Sequence, residues 1–156
     1  MRTTQWCVVA LLLALALASS AAAAGEWRTW AAPDRHLVAA GFTDNDGGSL
    51  LVTCDTAAKH VSIAVHDPAA RWTQGQVIDV ITLPDTGQEP SPGHGYVNGP
   101  TQFVVTQQAA FDLWAMGQAK SAFRVSAGDY VRSYPAANFR NVVEPVLQAC
   151  GVRWDE

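Results

Sequence analysis

The chain has 156 residues, 49% hydrophobic and 15% charged, with 10 basic against 14 acidic side chains and a net charge of −4. That length supplies one domain, able to bury about two-thirds of the surface its unfolded form exposes. No two Lys or Arg residues are adjacent, which argues against a nucleic-acid track and against a polybasic membrane patch.

In chain order, Arg2 gives a positive start, residues 8–18 an apolar run of eleven, and residues 19–24 a small-residue tail with Ala22 and Ala24 spaced for cleavage before Gly25. This is the layout of a secretory signal peptide. It predicts a leader at 1–24 and a single exported domain at 25–156, periplasmic or secreted after cleavage near Ala24. The apolar run is too short for a hydrocarbon core of about 30 Å, and no later stretch resembles a membrane span. Cys7 precedes the apolar run and leaves with it, so it cannot carry a lipid anchor. Loss of Arg2 takes the 10 basic residues to 9 against 14 acidic. Cys54 and Cys150 remain, and an even pair in an exported chain predicts a disulfide between them. Its loop of nearly a hundred residues is worth up to about 4.7 kcal/mol of chain entropy.

Residues 36–42 read as a strand, ended by the turn Asp44-Asn45-Asp46-Gly47-Gly48. Residues 49–54 and 60–66 alternate with period two, placing Leu50, Val52 and Cys54 on one face and Val61, Ile63 and Val65 on another. The polar stretch 55–59 between them suits a hairpin. Residues 76–83 and 101–106 read as further strands, while 84–100, with four prolines and four glycines, reads as the longest loop. Residues 109–119 predict a short, mostly buried helix ending near Gly117, with Trp114 in a core or rim role. A last hairpin is expected from 121–126 and 129–134, turning at Ala127-Gly128. Phe139, Val142, Val143, Val146, Leu147 and Cys150 then form one stripe of an amphipathic helix stopped by Gly151. Pro145 predicts a kink in it, or a late start. The expected fold is mainly β: an antiparallel, sandwich-like domain of seven or so strands with one or two helices, its C-terminal helix tied to the sheet by Cys54 and Cys150.

An exported start, Trp27 or Trp30 near the mature terminus, Leu51-Val52-Thr53-Cys54, Val77-Ile78-Asp79 after Trp72, Phe139, and Gln148-Ala149-Cys150-Gly151-Val152-Arg153-Trp154 together form a pattern. It resembles the small periplasmic proteins related to the type VI secretion accessory family and, more distantly, the invasion-associated locus B family. The likeness covers nearly the whole mature chain. It implies an envelope protein with an all-β core, and it carries over no active site.

No motif supplies chemistry by itself. His60 and His66 share one strand face, but six residues at about 3.3 Å each hold their backbones about 20 Å apart, too far for one metal ion. Asp44-Asn45-Asp46-Gly47 opens like a calcium loop, yet Gly48, Ser49 and the apolar strand after them stand where ligands and a turn glycine are needed. No metal or other cofactor is expected. No Gly-x-Ser-x-Gly elbow occurs, and both cysteines sit on core-facing stripes. Asp79, amid Val77–Ile81, is a candidate buried polar group, whose burial would demand a hydrogen bond or a cation such as Arg124 or Arg132; the alternative is a strand-edge carboxylate in water or in a structural ion pair. His94 and Tyr96, in the Gly-His-Gly-Tyr run, offer an aromatic anchor among flexible neighbours, and Trp72 and Trp154 are the tryptophans expected to be exposed. The sequence therefore predicts a non-enzymatic binding or accessory protein of the cell envelope. Its candidate surface is His94, Tyr96, Trp72 and Trp154, it acts through a sheet edge or the 84–100 segment, and its partner is a protein or envelope component. The alternatives are a small envelope hydrolase, which needs a pocket joining His94 or His66 to Asp79, and an inhibitor that inserts 84–100 into a hydrolase.

Overall fold

The computed structural model describes residues 25–154; the expected leader lies outside them. Nine strands form one antiparallel sheet: β1 (Arg28–Ala32), β2 (Leu37–Thr43), β3 (Ser49–Asp55), β4 (His60–His66), β5 (Val77–Pro84), β6 (Ser91–Gly99), β7 (Gln102–Val105), β8 (Ala122–Ala127) and β9 (Tyr130–Pro135). Helix α1 (Ala109–Gly117) separates β7 from β8, and α2 (Phe139–Ala149) follows β9. Across the sheet the order is β1-β2-β3-β4-β7-β6-β5-β8-β9.

The hairpins form where the sequence carries turn chemistry. Asp44 Oδ1 accepts hydrogen bonds from the backbone N–H groups of Asp46 (3.0 Å) and Gly48 (2.8 Å), an aspartate turn that reverses β2 into β3. The Arg132 guanidinium lies over Gly48, where a side chain would otherwise stand. Asp55 Oδ1 accepts from Ala57 and Ala58 at 2.9 Å each between β3 and β4. The Ala58 N–H is the main reason that its carboxyl titrates below the usual range.

Alternation then sorts the strands' two faces. Leu50, Val52, Cys54, Val61, Ile63 and Val65 point into a single core with Phe103, Phe123, Val125 and Tyr134. The sheet curls so far that its two ends meet. Phe42 of β2 packs edge-on against Tyr134 of β9 (5.9 Å), and Trp27, just before β1, donates Nε1–H to the Pro135 carbonyl at 2.7 Å. Arg132 of β9 pairs with Asp44, and with Asp67 at 3.8 Å. One continuous sheet thus faces itself as the two layers of a sandwich do.

Both helices lie on the inner face. α1 packs on β4, β5 and β6 through Leu113 and Met116, and α2 on β1, β2 and β3 through Phe139, Val143, Val146 and Leu147. α2 starts at Phe139 rather than late. Pro145 is exposed, as is Asn141, whose carbonyl loses its partner N–H, so the cost is borne on the solvent side. The helix ends in a Schellman pair, with Gly151 N–H to Gln148 O (3.0 Å) and Val152 N–H to Leu147 O (2.9 Å), Gly151 adopting φ +74°. Cys150 is bonded to Cys54 with their Cα atoms 5.7 Å apart, so a disulfide pins α2 to β3. No helix among the described residues is long and apolar enough to cross a membrane.

The stretch expected as the longest loop is corrected. Its second half is β6, paired with β5 from Val77↔Tyr96 to Thr82↔Ser91 and with β7 from Tyr96↔Val104 to Gly99↔Gln102. Pro92 lies in the part of β6 that β7 does not reach, where the strand has a free edge and a missing N–H is tolerated. Gly93 and Gly95 lie where the packing is tight: a Cβ at 95 would stand 3.0 Å from both Phe103 and Val80, and one at 93 would stand 2.8 Å from Gln108 Oε1. Only residues 85–90 form a connection. It is anchored by Asp85, which accepts from Lys120 N–H (2.7 Å), Ser121 N–H (2.9 Å), Ala122 N–H (3.1 Å) and the Ser121 hydroxyl.

Candidate functional site

β6 buries Ser91, Gly93, Gly95 and Val97 and turns Pro92, His94, Tyr96 and Asn98 outward. His94 and Tyr96 are therefore neighbours on the outer face of a rigid strand, not on a flexible loop. Register places Asp79 opposite His94 and Val77 opposite Tyr96. His94 Nδ1 lies 3.0 Å from Asp79 Oδ1, with the two side chains 69% and 87% exposed. Of the two readings of Asp79, the buried carboxylate fails and the exposed, paired one holds. It stands on the solvent face, Arg132 is taken by Asp44 and Asp67, and the partner is a histidine. Such an exposed pair is screened by water and adds little to stability.

Around the pair the outer face is apolar. Val77 is 64% exposed and Tyr96 54%, with Ile81 and, across Ser126, Val131 also exposed. A shallow pocket of about 500 Å³ lies here, lined by Asp79, Ile81, Pro92, His94, Gln107 and Gln108 over the backbone of Val80 and Gly93. No serine, threonine or cysteine is among the described residues that line it. Among the described residues no group of three His, Cys, Asp or Glu side chains gathers to hold a metal ion.

The tryptophans expected at the surface are elsewhere. Trp72 is half-buried, meeting Phe103 (5.1 Å) and Tyr130 (5.6 Å) edge-on. Trp154 is only 8% exposed. Its ring fills the space beside Gly117, where a Cβ would come within 2.8 Å, and Arg140 lies 5.4 Å over its centroid. Neither shares a surface with His94 and Tyr96.

Two features differ from the sequence reading or were missed by it: the exposure of Phe111 and Trp114 on a helix expected to be mostly buried, and a buried carboxylate. On α1, Phe111 and Trp114 face solvent (55% and 39% exposed), stacked with centroids 6.0 Å apart and planes at 21°. They form one wall of a groove of about 860 Å³ whose other side is α2 and the tail, including Arg140, Arg153 and Trp154. The signal was their i, i+3 spacing, which puts both on the same helix face. The second is Asp112, buried in the core with Ser91 donating its hydroxyl to Oδ1 at 2.8 Å. Burial pushes this carboxyl up, and the serine opposes the shift. Only the period of α1 could have placed it inward.

No family, curated protein or solved structure matches the chain.

Proposed function

We propose that this protein is an exported, non-enzymatic binding or accessory protein of the cell envelope, related to the type VI secretion accessory proteins that its sequence pattern resembles. In this reading the outer face of β5, β6 and β9 docks a protein partner. The observation that carries it is the row of exposed apolar side chains at Val77, Tyr96, Ile81 and Val131 around Asp79 and His94, presented on paired strands. Flat strands fix side-chain positions before contact, which lowers the ordering cost of association. Tyrosine is enriched among the few interface residues whose truncation costs about 2 kcal/mol or more. The disulfide and the spacing of residues 1–24 support maturation in an oxidising compartment, periplasmic or extracellular. The test is capture from envelope extract by tagged mature protein, compared with Tyr96→Ser combined with Val77→Ser. Both side chains are exposed, so the fold persists and capture is expected to fall at least about tenfold; equal capture refutes this docking face.

The contact between His94 and Asp79 favours a second reading, a small hydrolase in which the histidine, oriented by the carboxylate, activates water. Hydrolysis of ester or peptide substrates that is abolished in His94→Ala supports it, and turnover unchanged by that substitution removes it.

A further inference from the structure

Where α1 meets β5 and β6, the core holds a carboxylate with an unused oxygen. Asp112 is 1% exposed. Ser91 donates its hydroxyl to Oδ1 at 2.8 Å, whereas Oδ2 is buried and has no hydrogen-bond partner. Thr82 stands directly opposite Ser91 in the β5–β6 register, equally buried, and its Oγ1 has no partner either. Burial raises the Asp112 pKa and the Ser91 hydroxyl opposes the shift, with no cation among the described residues contributing. Buried polar atoms are normally paired, and a carboxylate left with one bond is a costly feature for a core to keep.

This carboxylate adjoins the pocket on the sheet. The point that a Cβ on Gly93 would take is 2.8 Å from Gln108 Oε1 and 3.5 Å from Asp112 Oδ2. Gly93 and Gln108 both line the pocket of about 500 Å³, so one exposed side chain stands between that pocket and the buried oxygen. Gln108 lies one turn before Asp112, whose N–H donates to its carbonyl at 2.9 Å, and its amide caps nothing on α1. It is therefore free to swing aside. Ile81 and Pro92 give the pocket an apolar wall, and no Lys or Arg is among its described lining residues.

We propose that this site takes the ammonium group of a primary aliphatic amine, whose chain lies along Ile81 and Pro92 while the charged end enters between Gln108 Oε1 and Asp112 Oδ2. An ammonium brings three N–H donors and no acceptor, and the oxygens here are a carboxylate, an amide carbonyl and a hydroxyl, all able to accept. A guanidinium is a poorer fit, because its two parallel bonds need both carboxylate oxygens and Ser91 already holds Oδ1. Calcium takes six to eight oxygens, and no group of three His, Cys, Asp or Glu side chains gathers among the described residues. A neutral donor would satisfy Oδ2 and leave its buried charge uncompensated.

The experiment is calorimetric titration of the mature, disulfide-bonded protein at pH 8, where a primary amine is charged, with n-butylammonium chloride, tetramethylammonium chloride and n-butanol. Saturable binding of butylammonium with a Kd of about 10 mM or below is expected, at least about tenfold tighter than tetramethylammonium, which has charge without N–H donors, and butanol, which has the chain without charge. Asp112→Asn keeps the shape of the side chain and should weaken binding by about tenfold or more. Butylammonium should raise the melting temperature of the parent and not that of Asp112→Asn. Glu89→Gln removes an exposed carboxylate of the 85–90 connection and should bind like the parent. The proposal is overturned if butylammonium shows no saturable binding up to about 50 mM, if tetramethylammonium binds equally, or if Asp112→Asn binds like the parent. Nα-acetyl-lysine methylamide, which carries the same group on a peptide backbone, separates two sources of the ammonium. Binding as tight as butylammonium assigns the site to a lysine side chain of a docked protein, and exclusion assigns it to a free amine; either outcome supports the site.

Discussion

Replacing Cys54 and Cys150 together by alanine removes the one covalent tie between the sheet and α2. The bond closes a loop with a sequence separation of 96, and the chain-entropy relation for that length gives about 4.7 kcal/mol of destabilisation of the unfolded state. Cys54 is fully buried and Cys150 nearly so, but each loses only one sulfur atom, so the cavity left is small beside the entropic effect. Against a net stability of roughly 5–15 kcal/mol for a domain of this kind, the loss is a large share of the whole. With a urea slope of about 1–3 kcal/mol per molar, the unfolding midpoint should fall by about 1.6–4.7 M. The slope itself should rise, because an untied unfolded chain exposes more surface. Urea titrations followed by tryptophan fluorescence on the oxidised protein, the dithiothreitol-reduced protein and the double variant give three readings of one quantity. If reduction or substitution costs under about 1 kcal/mol, the entropic reasoning fails. The apolar stripe of α2 would then suffice to hold the helix in place.

Gly95→Ala should destabilise the fold by about 1–3 kcal/mol in the same titration, since the added methyl meets Phe103 and Val80 at 3.0 Å in a closed core. Asp112→Asn should raise stability near neutral pH. The folded pKa lies above the ordinary 3.8, so the native state carries a penalty that is absent below that pH and grows as pH rises through the folded value. A stability difference between Asp112→Asn and parent that stays constant from pH 3 to 8 would refute this. Asp85 is the opposite case. Its bonds to the Ser121 hydroxyl and to the Lys120, Ser121 and Ala122 N–H groups hold its pKa well below 3.8, so their stabilisation is present above that value and fades as pH falls further. Asp85→Asn should flatten the acid limb of the stability curve. Tyr134, pushed up to about 12 by burial, and Tyr130, shifted further in the same direction mainly by burial, should stay un-ionised in a spectrophotometric titration until the protein unfolds. Absorbance from all three tyrosines at pH 10.5 with native circular dichroism would contradict it.

The parts of the fold readable in the sequence are those settled locally. Asp44 and Asp55 accept from their own turns, so β2-β3-β4 follows from turn chemistry and alternation. The stripe on α2 faces the core as its period requires, and the cysteine at its end meets the one on β3. What was not readable depends on partners distant in sequence. Pro92, Gly93 and Gly95 look like a loop because each residue by itself disfavours a strand, yet Phe103, Val80 and Gln108 pack closely on that backbone, where a residue without a side chain is accommodated best. β1 was not foreseen either, as Trp30 and its neighbours acquire strand geometry by pairing with β2. The candidate site was legible as residues and not as an arrangement. Outward alternation on β6 brought His94 and Tyr96 together with Asp79, while Trp154 vanished beneath Arg140 because Gly117 leaves it a seat. Phe111 and Trp114 read as core from composition, and only the helix's rotation on the sheet reveals which side they present.

The placement of the two bonded cysteines bears on how the molecule is made. A ribosome, and any pore that threads the chain with its N-terminus leading, delivers Cys54 long before Cys150, which follows it at a sequence separation of 96. Sheet pairing up to β9 can proceed in the interval, but oxidation must wait until α2 has emerged. The bond can therefore close only on chains in which α2 is present: one cut short before that helix lacks Cys150 and leaves Cys54 without the partner it has here.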